Sequence, residues 1–179
     1  MSDEEVIRKI QQGDKQLFDI LMERYRRKIQ LLAWRMLGNQ ADGEDLAQEI
    51  FLKVYNKIDK FNFLSRFSTW LYRVALNSCY DYLRKKRPCI TDIALENLDL
   101  SVPGPEKHFE SQSSLKMINQ AINRLPAKSR AIIILRLYQG LNYQEIGEIL
   151  KIKPETAKMR YYRARLKLQD ELKNIFALN

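Results

Sequence analysis

The chain of 179 residues has one histidine and two cysteines, and each scarcity narrows what it can do. The lone His108 falls in a stretch with little periodic apolar content, and no G-x-S-x-G or Walker-type loop accompanies it. Catalysis therefore finds little support, and no metal or cofactor is expected. Cys79 and Cys89 stand ten residues apart with no C-x-x-C pair, which argues against a zinc site or a disulfide framework and suits reduced cytosol. No apolar run approaches the ~18 residues a membrane span needs. The start, Met-Ser-Asp-Glu-Glu, is acidic where a signal peptide is basic. A soluble, cytoplasmic protein is expected. Alternating strand-like segments bounded by turn residues are missing too, which leaves an all-α fold.

Charge is plentiful. The net charge of +9 and pI near 9.5 favour a polyanionic partner. Its distribution says more: Thr91–Ser114 carries five acids against one base, a net −4, so the remainder holds +13. The basic charge belongs to the folded parts.

Apolar residues recur at helical spacing in Leu17, Leu21, Tyr25, Ile29 and Leu32, and again in Ile118, Ala121, Ile122 and Leu125. One helix is expected after Gly13, with Asp14 as N-cap, ending near Leu37 before Gly38-Asn39. Pro88 interrupts a basic helix, and the acidic stretch beyond it contains Pro103-Gly-Pro105. The expected organisation is two small helical domains, 1–88 and 113–179, joined by a flexible linker at 89–112.

Three constellations carry function. In the first, Leu46, Ala47, Ile50, Phe51, Val54 and Ile58 form one apolar stripe, leaving Asp42, Asp45, Gln48, Glu49, Leu52 and Asn56 on the opposite side. That side reads as solvated surface or as a docking site; Leu52, apolar among charges, is its anomaly. The second is the aromatic segment Phe61-Asn-Phe-Leu-Ser-Arg-Phe-Ser-Thr-Trp70 and the helix after it. There Phe67, Leu71, Val74, Ala75, Ser78 and Tyr82 line one side, while Trp70, Arg73, Asn77 and Arg84 line the other before Lys85, Lys86 and Arg87. Trp70 either packs on the preceding loop or stacks on an unpaired base while Arg and Asn hold phosphate and base edges. Phe63 and Phe67 offer further stacking surface.

The third is a helix-turn-helix: Leu141–Leu150, a three-residue break, then a helix opening at Pro154. Gly147 and Ala157 are small where the two helices should approach. Ala157, Tyr161, Ala164, Leu168 and Leu172 make its buried stripe, so Thr156, Met159, Arg160 and Arg163 project outward. Between Lys151 and Lys167 stand seven basic residues and a single acid, Glu155.

In this order, Asp45-Leu-Ala-Gln-Glu-Ile-Phe51, Phe67-Ser-Thr-Trp-Leu-Tyr-Arg-Val-Ala-Leu-Asn77 with Asp81 and Arg84-Lys-Lys-Arg87, and Leu125-Pro126 with the helix-turn-helix resemble a bacterial sigma factor of the extracytoplasmic-function group. The resemblance spans nearly the whole chain and implies the short kind with only the region 2 and region 4 domains. It implies that Asp45, Gln48, Glu49 and Leu52 dock on core RNA polymerase. It further implies that Phe63, Phe67, Trp70, Arg73, Asn77, Arg84, Lys85, Lys86 and Arg87 open and hold a single-stranded −10 element. The duplex −35 element would be read by Thr156, Lys158, Met159, Arg160 and Arg163. An anti-sigma factor is the further partner implied. The chain departs from the family's Gly-Thr-Val-Lys-Ser-Arg string at Glu155, Ala157 and Met159. The competing reading is a free-standing helix-turn-helix regulator, for which residues 1–88 offer no phosphate-accepting or ligand-cradling motif.

Overall fold

A computed structural model describes residues 1–86 and 110–177. Every regular element among them is helical, and the segment expected as linker falls largely outside the described residues, as do His108 and Arg87.

The acidic N-terminus, read above only as unlike a signal peptide, is the first turn of a helix, α1 (Asp3–Gln11). Ser2 and Glu5 cap it reciprocally: the Glu5 N–H donates to Ser2 Oγ at 3.2 Å and the Ser2 N–H donates to Glu5 Oε2 at 2.6 Å. Its three acids meet the positive end of the helix dipole, and Val6, Ile7 and Ile10 enter the core fully buried.

The expected N-cap at Asp14 is not made. Its side chain forms no capping bond, and the chain passes through a 3₁₀ turn at Lys15–Leu17 before α2 (Phe18–Leu37) begins. At the other end Gly38 takes φ 76°, the left-handed stop that glycine adopts without strain, and its N–H donates to the Trp34 carbonyl at 2.7 Å. Asn39 then caps α3 (Gln40–Lys57), accepting from the Asp42 N–H at 3.0 Å.

Helices α2 and α3 approach closely because Gly43 has no side chain; a Cβ there would stand 2.6 Å from the Trp34 backbone. The stripe Leu46, Ala47, Ile50, Phe51, Val54 and Ile58 is buried throughout. Fixing that side against α2 fixes which side of α3 faces outward. α4 (Phe67–Lys85) closes the N-terminal half.

The C-terminal half comprises α5 (Glu110–Arg124), α6 (Ala127–Ile133), a wide π turn at Ile134–Tyr138, α7 (Tyr143–Leu150) and α8 (Pro154–Ala177). α5 thus begins three residues ahead of the expected domain start at 113. The two halves pack on one another. Arg130, buried in α6, donates to the Met36 carbonyl at the end of α2 at 2.5 Å and to the Leu125 carbonyl at 3.1 Å. The π turn presents Tyr138 and Gln139 to the N-terminal half. The Arg35 guanidinium lies 4.2 Å over the Tyr138 ring. Gln139 accepts from the Tyr72 hydroxyl at 2.9 Å and donates to the Lys28 carbonyl at 3.1 Å.

Candidate polymerase-docking and nucleic-acid surfaces

The outward side of α3 presents Asp45, Gln48, Glu49 and Leu52, all exposed, with Leu52 at 64 %. Asp42, at its start, is taken: Lys86 Nζ donates to its carboxylate at 2.6 Å and holds its pKa below the usual range. The same bond raises the Lys86 pKa.

In the aromatic loop the rings turn inward more than the sequence reading expected. Phe61 and Phe67 are buried, Phe67 at 1 % exposure, and Phe67 meets Tyr25 edge-on at 5.5 Å. Phe67 therefore has no face to offer a base, which removes it from the stacking residues. The reason is geometric: as the first residue of α4 it lies on the same side as Leu71 and Ala75, over the core. Phe63 adopts φ 59°, an uncommon backbone for an aromatic residue, and is half-buried with the Arg8 guanidinium 4.5 Å over its ring. Trp70 is half-buried, its ring 5.3 Å from Phe61 and 5.9 Å from Phe67. Both readings of Trp70 thus have a surface: one part of the indole packs and another faces out. Among the described residues Leu64 is the most exposed large apolar one, at 86 %.

Along the outward side of α4, Asn77, Arg84 and Lys85 are exposed. Arg84 pairs with Asp81 at 3.4 Å, and Lys86 is held by Asp42. Arg73 is engaged by the other half of the molecule: its Nε and Nη2 donate to the Glu148 carbonyl at 3.1 and 2.6 Å. Arg66 Nη1 lies 3.7 Å from Glu145 Oε1.

α7 and α8 form the expected helix-turn-helix. Asn142 and Glu145 cap α7 reciprocally at 2.9 Å each way. Lys151 ends it with φ 55°, and a Cβ on Gly147 would stand 2.7 Å from the Ile152 carbonyl. Ala157, Ala164 and Leu168 are buried. That leaves Lys158, Met159, Arg160 and Arg163 exposed and Thr156 half-buried. The charge of Arg160 reaches Tyr80 on α4, whose hydroxyl burial pushes up to about 12.

A basic helix-turn-helix packed on a helical domain with an acidic face and an aromatic loop matches two families in chain order. Sigma-70 region 2 covers residues 21–88 and Sigma-70, region 4 covers 115–168. The ECF RNA polymerase sigma factor SigW of Bacillus subtilis is 37% identical over 94% of this chain and 96% of its own. This chain belongs to the ECF sigma factors. The ECF RNA polymerase sigma-E factor of Escherichia coli K12 is 33% identical, over 92% of this chain and 91% of its own.

Two solved structures share the fold. One is CnrH in complex with the cytosolic domain of CnrY, with TM-score 0.73 and 22% identity, covering 96% of this chain and 97% of that one. The other is the sigma factor RpoE with the anti-sigma factor NepR from Bartonella quintana, with TM-score 0.66 and 24% identity, covering 87% and 96%.

The present sigma factor is thus a transcription initiation factor, directing RNA polymerase to promoters, in a family of initiation factors rather than catalysts. Among the described residues no helix is long and apolar enough to cross a membrane. Sequence reasoning missed Arg130, Tyr72 and Gln139, which join the halves of this sigma factor. No spacing marks them, because two of their acceptors are main-chain carbonyls.

Proposed function

We propose that this sigma factor divides its work among the three surfaces. Asp45, Gln48, Glu49 and Leu52 dock α3 on core RNA polymerase. Trp70, Asn77, Arg84 and Lys85, with Phe63 at the loop, take the unpaired −10 strand, joined by Arg73, Lys86 and Arg87. Thr156, Lys158, Arg160 and Arg163 read the −35 duplex. The observation that carries this reading is that both helices bury one stripe and turn the cationic side outward, with half-buried Trp70 on the basic side of α4. Phosphate contacts from Arg and Lys position such a protein, while base edges and stacking supply selectivity. The chain acts in the cytoplasm and without catalysing a reaction of its own. An anti-sigma factor is its further partner, as for the RpoE of similar fold that was solved with NepR.

Simultaneous reading of both elements requires the halves to separate. Sites about 25 positions apart lie roughly 85 Å apart on duplex DNA at ~3.4 Å per step, yet here Arg73 is bonded to Glu148. The backbone between Lys86 and Glu110 can reach about 80 Å at full extension, which together with the breadth of the two domains is enough to let both engage. The packed arrangement is the free form, and promoter engagement opens it.

The deciding experiment is a footprint on a promoter library with the purified chain, with and without core polymerase. Protection of both elements only when polymerase is present supports the reading. A specific footprint by the chain alone overturns it in favour of a free-standing regulator.

A further inference from the structure

Met159 is 51 % exposed in the second turn of α8, on the side opposite Ala157, Ala164 and Leu168. Lys158, Arg160 and Arg163 surround it in sequence and are exposed as well. An apolar side chain in the middle of a cationic, groove-facing surface needs a reason. Resting on the −35 reading of α8, we propose that Met159 reads a thymine, its thioether lying against the C5-methyl group in the major groove.

The chemistry leaves few alternatives within the groove. The N-terminal part of a recognition helix is the part that reaches base edges, and Met159 lies there. Methionine has no donor and only a weak acceptor, so it cannot satisfy the hydrogen-bonding edges of guanine, cytosine or adenine. The thymine methyl is the one apolar group that the base pairs display in the major groove. An unbranched side chain with three rotatable bonds can reach it without one fixed backbone placement. Tyr162 and Leu166 extend the apolar stripe along α8 at 55 % and 44 % exposure, which is the outline of a protein-docking face. The cations beside Met159, with Glu155 the lone acid between Lys151 and Lys167, favour a polyanion at its end of the stripe.

The test uses the full chain bound to core polymerase. A −35 library is selected, and each thymine of the preferred duplex, on either strand, is then replaced by deoxyuridine, which deletes only the methyl group. One replacement should weaken binding about fourfold, the worth of one buried methyl. Met159→Ser, with unchanged thermal melting, should bind the thymine and uracil duplexes equally. A selected element without thymine, no response to any replacement, or the same loss in Met159→Ser as in the parent overturns the proposal. So does a Met159→Ser variant that responds to uracil like the parent but loses a protein partner, which assigns the stripe to docking. If selection yields no −35 preference, and Arg160→Ala and Arg163→Ala change nothing, the reading of α8 falls first and takes this inference with it.

Discussion

Replacing Trp70 by alanine separates two contributions that the structure places in one side chain. The packed part of the indole touches Phe61 at 5.3 Å and Phe67 at 5.9 Å, and each aromatic pair is worth about 0.5–1.5 kcal/mol. The folded state should lose about 1–3 kcal/mol, which lowers the melting temperature by several degrees, roughly 2–4 °C per kcal/mol at this size. The outward part, if it stacks on an unpaired −10 base, contributes a further ~1–3 kcal/mol that is present only when the strands are apart. That second loss should reduce open-complex formation by about 5- to 150-fold. The assay is permanganate reactivity of the −10 region on duplex and on pre-melted templates, with polymerase affinity and thermal melting measured beside it. The pre-melted template should recover most of the defect, and affinity for core polymerase should not change. Trp70→Phe, which keeps a ring against Phe61, should restore melting more than strand opening. Equal defects on duplex and pre-melted templates, together with lowered melting, would refute the stacking role and leave Trp70 a packing residue.

Reversing Asp45 and Glu49 to Lys on the exposed side of α3 should leave melting within ~0.5 kcal/mol and weaken core-polymerase binding by several kcal/mol, mainly through dissociation; unchanged binding measured by titration returns the face to solvent. Arg160→Ala and Arg163→Ala should differ in kind. A base-edge contact costs about 1–3 kcal/mol on the preferred sequence alone, whereas a phosphate contact weakens all sequences and reduces the salt slope by about one. Gly147→Ala places a methyl 2.7 Å from the Ile152 carbonyl and should cost about 1–3 kcal/mol in urea unfolding, with −35 binding impaired beyond −10 binding.

The buried stripes of α3 and α8 were legible because period alone places Leu46, Ile50 and Val54, or Ala157, Ala164 and Leu168, on one side of a helix. The stop at Gly38 and the tight turn beside Gly147 were legible for a similar reason: only a missing side chain fits there. What the sequence hid depended on contacts distant in the chain. Phe67 was expected both in the apolar stripe of α4 and among the stacking residues, and its burial leaves only the first role. α1 was hidden by brevity, its nine residues showing acids where its apolar side is Val6, Ile7 and Ile10. The docking of the two halves was hidden more deeply, since an arginine that ends on a main-chain oxygen has no partner to pair it with in the sequence.

That last feature has an evolutionary consequence. Arg73 ends on the carbonyl of Glu148, Arg130 on that of Met36 and Gln139 on that of Lys28. A carbonyl belongs to the backbone and is the same whichever amino acid supplies it. Substitution at 148, 36 or 28 therefore leaves the acceptor in place, and drift on that side cannot readily loosen the clasp. At these three contacts only the donors can be tuned, unlike the pairs of Arg66 with Glu145 and of Tyr72 with Gln139, where both partners are side chains. There the hold between the halves is heritable at Arg73, Arg130 and Gln139, while exposed Lys28 and Glu148 stay free to change for other purposes and Met36 is held only by its place in the core.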